Sequence, residues 1–167
     1  MENYIVINGK KLELTEEQLQ ALGIEIKKKR NNPFNTVLNY KDSYLAITGN
    51  GVYPVNYTSS KLDEECIANA NSFNDYKFVD QVYLHELLNR KLLKYAWDNE
   101  AEDCDWTHAH NEHWYIGCNH GRVNIYKTWS TCSKDLGVVY FSRQEVAEQA
   151  IKDVIEPFRT EHPEFIW

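Results

Sequence analysis

Ser43-Tyr44-Leu45-Ala46-Ile47-Thr48-Gly49-Asn50-Gly51-Val52-Tyr53-Pro54-Val55 is an apolar run, a small polar turn and a returning apolar run. Such runs around Gly and Asn read as a β-hairpin. Seventy residues later His113-Trp114-Tyr115-Ile116-Gly117-Cys118-Asn119-His120-Gly121-Arg122-Val123-Asn124-Ile125 repeats the pattern. At that offset Gly51 aligns with Gly121, Tyr44 with Trp114, Tyr53 with Val123 and Val55 with Ile125. Each hairpin leads through a polar loop to an aromatic residue, Phe73 or Phe141, and then to a helical pattern. Each strand-strand-helix half is too small to bury its apolar face alone, so the two halves are expected to share one α+β core. Pro54 cannot donate to a ladder, which predicts that its strand is an edge or is bulged.

The first helix is expected from about Asp75 to Trp97. Its stripe is Phe78, Val82, His85, Leu88, Leu92 and Tyr95, thickened by Val79, Leu84 and Leu93. His85 lies on that stripe and reads as a core or boundary residue. Ser142-Arg143-Gln144-Glu145 reads as a capping box for the second helix, which carries Val146, Ala147, Ala150, Ile151, Val154 and Ile155 at helical spacing. Val138-Val139-Tyr140-Phe141 is a buried-strand signal, expected to pair with the strand Arg122–Tyr126. Phe165-Ile166-Trp167 is an apolar end expected to fold back onto the core.

Ahead of these halves, Tyr4–Ile7, the turn at Asn8-Gly9 and the alternation Lys11-Leu12-Glu13-Leu14 predict another hairpin. Thr15-Glu16-Glu17-Gln18 is a capping box for a helix from Glu16 to Lys29, with Leu19, Leu22 and Ile26 on one face. The run Lys27–Arg30 complements the negative end of that helix. Asn31-Asn32-Pro33 reads as a linker. The expected organisation is therefore residues 1–31 as hairpin plus helix, 34–97 as the first ββα half and 104–167 as the second.

Chemistry-bearing residues concentrate between Cys104 and His120. Cys104, His108, His110, His113, Cys118 and His120 fall in this stretch, and thiolate with imidazole is the ligand pair that zinc prefers. The stretch has neither a tight Cys-x-x-Cys knuckle nor a helical His-x-x-x-His pair, so it matches no standard zinc finger. The competing reading is of surface histidines in a polar loop, with Cys118 as a small apolar side chain. Cys118 and His120 stand two residues apart on the hairpin and are expected to point the same way. Thr48 and Asn50 hold their places in the first half, which favours a local, added function for the site, with chance substitution in a turn as the alternative. Cys132 could replace a ligand, and Cys66 reads as a buried free thiol.

The net charge is −7, and the acidic excess lies beyond residue 97. Asp98, Glu100, Glu102, Asp103 and Asp105 crowd one segment. Free nucleic acid is a poor partner for such a surface, which lacks a basic patch. A protein with a basic nucleic-acid groove is a better one. The first four of these acids are the candidate partner-binding residues. Eleven Tyr, five Trp and six Phe suit both a core and a contact face. No apolar run reaches the ~20 residues that span a bilayer, and no secretory leader pattern follows Met1. The expected setting is cytoplasmic, with reduced thiols.

Enzyme constellations are weak. A ββα metal nuclease needs ligands on the helix after its hairpin, and the helix after Phe141 has no histidine until its end. Nothing orients a base toward Cys118 or Cys132. Gly49-Asn50-Gly51 lacks the lysine and helix start of a phosphate loop.

The chain resembles a family of small proteins encoded by phages and prophages of Gram-positive bacteria. The resemblance rests on Asn8-Gly9-Lys10 with Thr15-Glu16-Glu17, on Asn32-Pro33-Phe34, and on Leu88-Asn89-Arg90-Lys91-Leu92. It continues through Asp105-Trp106, Trp114-Tyr115-Ile116, Gly137–Ser142 and Glu145–Ile151. The Cys104–His120 cluster departs from the family's pattern. Proteins of this kind include anti-CRISPR inhibitors of type II effectors. The resemblance therefore implies a non-enzymatic inhibitor that binds a host CRISPR effector nuclease in the bacterial cytoplasm. The alternative is a zinc-stabilised phage accessory protein, and a metal-dependent nuclease is a third.

Overall fold

The structure, a computed structural model, describes residues 4–7, 10–22, 32–34, 38, 39, 41–102, 105–108, 110–129 and 134–167. It divides into two compact units, Met1–Asn32 and Pro33–Trp167. In the first, β1 (Tyr4–Ile7) pairs antiparallel with β2 (Lys10–Glu13), and α1 (Glu16–Ala21) follows. The Thr15 box is formed: Thr15 N donates to Gln18 Oε1 at 2.9 Å, and Gln18 N donates to Thr15 Oγ1 at 3.3 Å. The expected continuation of α1 to Lys29 lies outside the described residues.

The larger unit is α+β. Its first sheet is the hairpin β3 (Ser43–Thr48) and β4 (Gly51–Asn56). On the other side of β3, Leu45 exchanges two backbone hydrogen bonds with Phe73, each 2.9 Å. Beyond it, the Asn71 side-chain amide does the work of a strand. Ile47 N donates to its Oδ1 at 2.8 Å, and its Nδ2 donates to Ile47 O at 3.0 Å. Leu45 therefore turns its polar groups away from β4, so its partner Pro54 turns its missing N–H to the outer edge. The proline is an edge residue without a bulge.

Between hairpin and Phe73 lies α2 (Lys61–Ala68), where a polar loop was expected. Ser60 and Asp63 form its capping box. Asp63 is buried and accepts from Thr58 N, Thr58 Oγ1, Ser60 N, Ser60 Oγ and the Tyr44 hydroxyl at 2.8–3.0 Å. Those donors, Thr58 N–H foremost, hold its carboxyl well below the usual carboxylate range. Burial, then contacts with Cys66 and Asp63, raises the Tyr44 hydroxyl.

Helix α3 (Tyr76–Asp98) is capped by Asp75, which accepts from Phe78 N at 3.2 Å. Val79, Leu84, Leu88, Leu92 and Ala96 are buried. The buried stripe is thus rotated from the expected one: Phe78 and His85 lie at its exposed margin. Helices α2 and α3 end alike. The residue after each cap is left-handed, Ala70 at φ 54° and Glu100 at φ 51°. The next N–H reaches back five residues, Asn71 to Cys66 O at 2.8 Å and Ala101 to Ala96 O at 2.9 Å. These are Schellman ends built without the usual glycine. Each delivers a segment to a sheet: Asn71–Phe73 to β3, and Ala101–Glu102 to the strand described next.

The second sheet has the order β6-β5-β7, from β5 (Glu112–Asn119), β6 (Arg122–Trp129) and β7 (Tyr140–Phe141). The expected pairing of the Val138–Phe141 segment with the Arg122 strand is corrected. β6 is already bonded to β5, and β7 takes the free side of β5, with Trp114 opposite Phe141. Glu102 bridges Phe141 on its far side.

The two halves repeat in order of parts but not residue for residue. The turns are Gly49-Asn50 and His120-Gly121. Gly51 is therefore a strand residue, and its expected match with Gly121 fails by one position. The offset of seventy residues aligns the buried sides, Tyr44 and Ala46 with Trp114 and Ile116. The turns align one residue further on. A one-residue slip exchanges the faces of a strand, so the halves present opposite faces of their hairpins to the helices.

Helix α4 (Gln144–Ala150) runs into a π-helical turn, Ile151–Ile155, and then α5 (Glu156–Glu161). The expected Ser142 cap is corrected: Arg143 is the cap residue and makes no side-chain capping bond. Its guanidinium instead donates to Asn99 O at the end of α3. Pro157 has no N–H for the preceding turn. The wide turn, with Glu156 N–H on Ile151 O, lies where that missing bond would loosen the helix. The core joins Leu84, Leu88, Leu92 and Ala96 of α3 to Ile116, Phe141, Ala147, Ala150, Ile155 and Phe158. Each large side chain here contributes roughly 1.5–3 kcal/mol by leaving water. Phe165 folds back on Phe158 and His85, with ring centres 5.3 and 4.8 Å apart, and Gln81 grips Glu164 O and Ile166 N. Ile166 remains 70% exposed, so the fold-back belongs to Phe165. No helix among the described residues is long and apolar enough to cross a membrane.

Candidate functional site

The Cys/His stretch is organised by rings and one carboxylate. Asp105 Oδ1 accepts from Thr107 N at 3.0 Å and from Thr107 Oγ1 at 2.6 Å. Its Oδ2 lies 2.9 Å from His108 Nδ1 and accepts from Asn111 Nδ2 at 3.0 Å. These contacts, Thr107 first, hold the Asp105 carboxyl well below its ordinary range. Asn111 N closes the loop on His108 O at 3.1 Å. Trp106 then lies flat on His113, ring centres 4.0 Å apart and planes 4° from parallel, with Tyr140 edge-on at 5.0 Å. Lys134 Nζ sits 5.7 Å from the Trp106 ring centre.

The described zinc candidates do not converge. His113 is 1% exposed within β5. Cys118 is a half-buried free thiol opposite Val123. Five residues separate them on one strand, which puts them on opposite faces and ~16 Å apart along it. His120 has φ 49° in the turn, beside Gly121 at φ 77°. Two successive left-handed residues make a type I′ turn, so His120 leaves the strand alternation that was expected to align it with Cys118. His108 is engaged by Asp105, and His110 is exposed in the turn before β5. Among the described residues no group of three or more His, Cys, Asp or Glu side chains could hold a metal ion. Cys104 and Cys132 lie outside the described residues. Cys66 is on α2, half-buried beside Tyr44.

The acidic candidates separate as well. Asp98 pairs with Lys94 within α3. Glu100 is exposed at the left-handed helix end. Glu102 is half-buried, and its enclosed Oε2 has no hydrogen-bond partner among the described residues. Asp103 lies outside the described residues. Glu102 opens onto a cleft of about 450 Å³ shared with Asp105, Asn111, Glu112, His113, Trp114 and Ser142. Glu112 pairs with Lys127, whose ammonium also lies 5.8 Å from the Trp114 ring centre.

A cleft lined by the carboxyl-bearing side chains of Glu102, Asp105 and Glu112 together with an indole suits an ammonium or guanidinium group. The sequence alone does not reveal Ser142 as part of this cleft or Trp106 as the ring stacked on His113. Asp105-x-Thr107 is a legible local turn signal, whereas the ring stack joins residues from a loop and a strand and has no sequence signature. Comparison with known protein families, with curated proteins and with solved structures finds no match for this chain.

Proposed function

We propose that the chain is a non-enzymatic inhibitor that acts by binding, with a host CRISPR effector nuclease as partner in the bacterial cytoplasm. The observation that carries this reading is the cleft around Glu102, where the carboxyl-bearing side chains of Glu102, Asp105 and Glu112 line one surface with Trp114. A protein groove built to hold nucleic acid offers arginine and lysine side chains, which suit a cleft lined by carboxyl-bearing side chains. The net charge of −7 favours the same encounter by long-range steering. The phage-protein resemblance supports the class of partner, and the acidic cleft is consistent with a basic contact surface on it.

The test measures DNA cleavage by a reconstituted type II effector with and without the chain. The association rate is followed across a salt series. Wild type is expected to inhibit and to associate more slowly as salt rises. The charge-neutralised protein, with Asp98, Glu100, Glu102 and Asp103 replaced by their amides, is expected to inhibit less and to lose much of that salt slope. Undiminished cleavage in the presence of wild type removes the inhibitor reading. Equal inhibition by both proteins removes this surface from it.

A further inference from the structure

Strand β6 is the outer strand of its sheet. β5 covers one side, and among the described residues nothing hydrogen-bonds to the other. The groups that face outward follow from the hairpin. Residues flanking a two-residue turn form a bonded pair, here Asn119 and Arg122. Alternation then makes Gly117–Asn124, Tyr115–Tyr126 and His113–Thr128 bonded pairs too. The N–H and C=O groups of Val123, Ile125, Lys127 and Trp129 therefore point away from β5. The first hairpin confirms the rule: the same count turns Leu45 and Ile47 away from β4, and they are the residues bonded to Phe73 and Asn71.

The two outer strands are treated differently. β4 carries Pro54 at an outward position, which removes a donor and blunts the edge. β6 has no proline and no bulge through its pairing with β5, and it is rich in β-branched and aromatic residues. A lysine can also guard an edge. Lys127, however, turns its ammonium back onto Glu112 and over Trp114 and Trp129, 5.8 and 5.4 Å from the ring centres.

We propose that β6 is a self-association edge, through which two copies of this chain pair antiparallel about a two-fold axis into one continuous sheet. Outward residues must meet outward residues, so an odd-numbered position can oppose only an odd-numbered one. The register that uses the four outward residues sets Tyr126 opposite Tyr126 of the second copy. Val123 then faces Trp129, Asn124 faces Thr128, and Ile125 faces the stem of Lys127. These are aliphatic–aromatic, polar–polar and aliphatic contacts, with no like charges directly opposed. A second copy brings this complement by symmetry, which is why the occupant is another copy rather than an extended segment of a different protein.

Sedimentation of the full chain under reducing conditions tests the proposal. A species of twice the 19.7 kDa chain mass is expected to grow with concentration through the micromolar range. Lys127→Pro removes one outward N–H and is expected to weaken the dimer at least tenfold, and Pro54 shows that an outward position accepts proline. Tyr126→Cys provides a second readout. Directly opposed residues at such a site have Cα atoms about 4.5 Å apart, within disulfide range, so oxidation is expected to yield a dimer whose cross-link maps to position 126 itself rather than to the four native cysteines. A monomeric wild type throughout that range overturns the proposal. So does a dimer that folded Lys127→Pro leaves intact and Tyr126→Cys does not cross-link.

Discussion

The imidazole of His113 lies parallel to the indole of Trp106, with ring centres 4.0 Å apart. One residue belongs to the loop at the start of the Cys/His stretch and the other to the central strand of the sheet. The stack ties the loop to the core, a role that sequence reasoning assigned to a metal.

Trp106→Ala and His113→Ala are expected to destabilise the protein by roughly 2–4 kcal/mol each, since each removes a large ring from a packed contact. In a double-mutant cycle the pair should show about 0.5–1.5 kcal/mol of coupling. Denaturant midpoints of the four proteins measure this. Strict additivity would mean the rings do not support each other.

The helix ends that lack glycine offer a gain. Ala70 and Glu100 hold left-handed backbone at φ 54° and 51°, which costs a side-chain-bearing residue roughly 1–2 kcal/mol. Ala70→Gly and Glu100→Gly should each raise stability by about 0.5–1 kcal/mol, the relief of strain being partly offset by the freer unfolded chain. Thermal unfolding reads the sign, and a lower midpoint in both would contradict the geometry.

Much of this was legible. Hairpins with apolar alternation, the Thr15 box and the long α3 follow from local patterns that the fold does not override. Helix α2 has only a local signal in the sequence, the capping box Ser60-x-x-Asp63. Its Leu62 and Ile67 are 66% and 41% exposed, so its helix carries no clear buried stripe to reveal it. The partner of β7 is not legible in the sequence because a short apolar strand fits either side of a hairpin, and only the docking of α3 and α4 chooses β5. Closeness in sequence groups His113 with Cys118, but an extended strand spreads such neighbours apart along its length.

Asp63 and Asp105 have carboxyl groups whose folded values are lowered. A lowered value contributes stability above the unfolded value and loses it as pH falls through the folded one. Asp63→Asn should therefore be less stable than wild type at neutral pH, with the gap closing below about pH 4. A gap that stays constant from pH 7 to pH 2 would show that the Asp63 charge is not what the five donors recognise.

Tyr95 gives the opposite limb. Burial, then the hydrogen bond of its hydroxyl to Asp153 Oδ2 at 2.7 Å, pushes it from 10.0 up to about 12. A raised value contributes stability that is full below the unfolded value near 10 and is lost as pH rises toward 12. Tyr95→Phe should flatten the alkaline loss of stability over that window. An unchanged alkaline limb would place the titrating group elsewhere.

Leu84 and Leu93 lie on one helix at 2% and 49% exposure. Leu84→Ala should cost about 2–5 kcal/mol, whereas Leu93→Ala should stay within about 0.5 kcal/mol. Comparable losses would mean that the face of α3 around Leu93 is covered in solution.

The π turn at Ile151–Ile155 works as a one-residue spacer in the last helix. Each residue of an α-helix turns the chain by about 100°. The wide turn takes up one residue more than an α turn, so closing it to plain α without shortening the chain would swing everything downstream by that angle. Phe158, now 1% exposed, would then leave the core, and Glu164 and Ile166 would leave the grip of Gln81. The wide turn thus holds the phase of the C-terminal segment, and deleting one of its residues, which restores plain α in the same phase, would disturb that segment less than a deletion within α4 or α5.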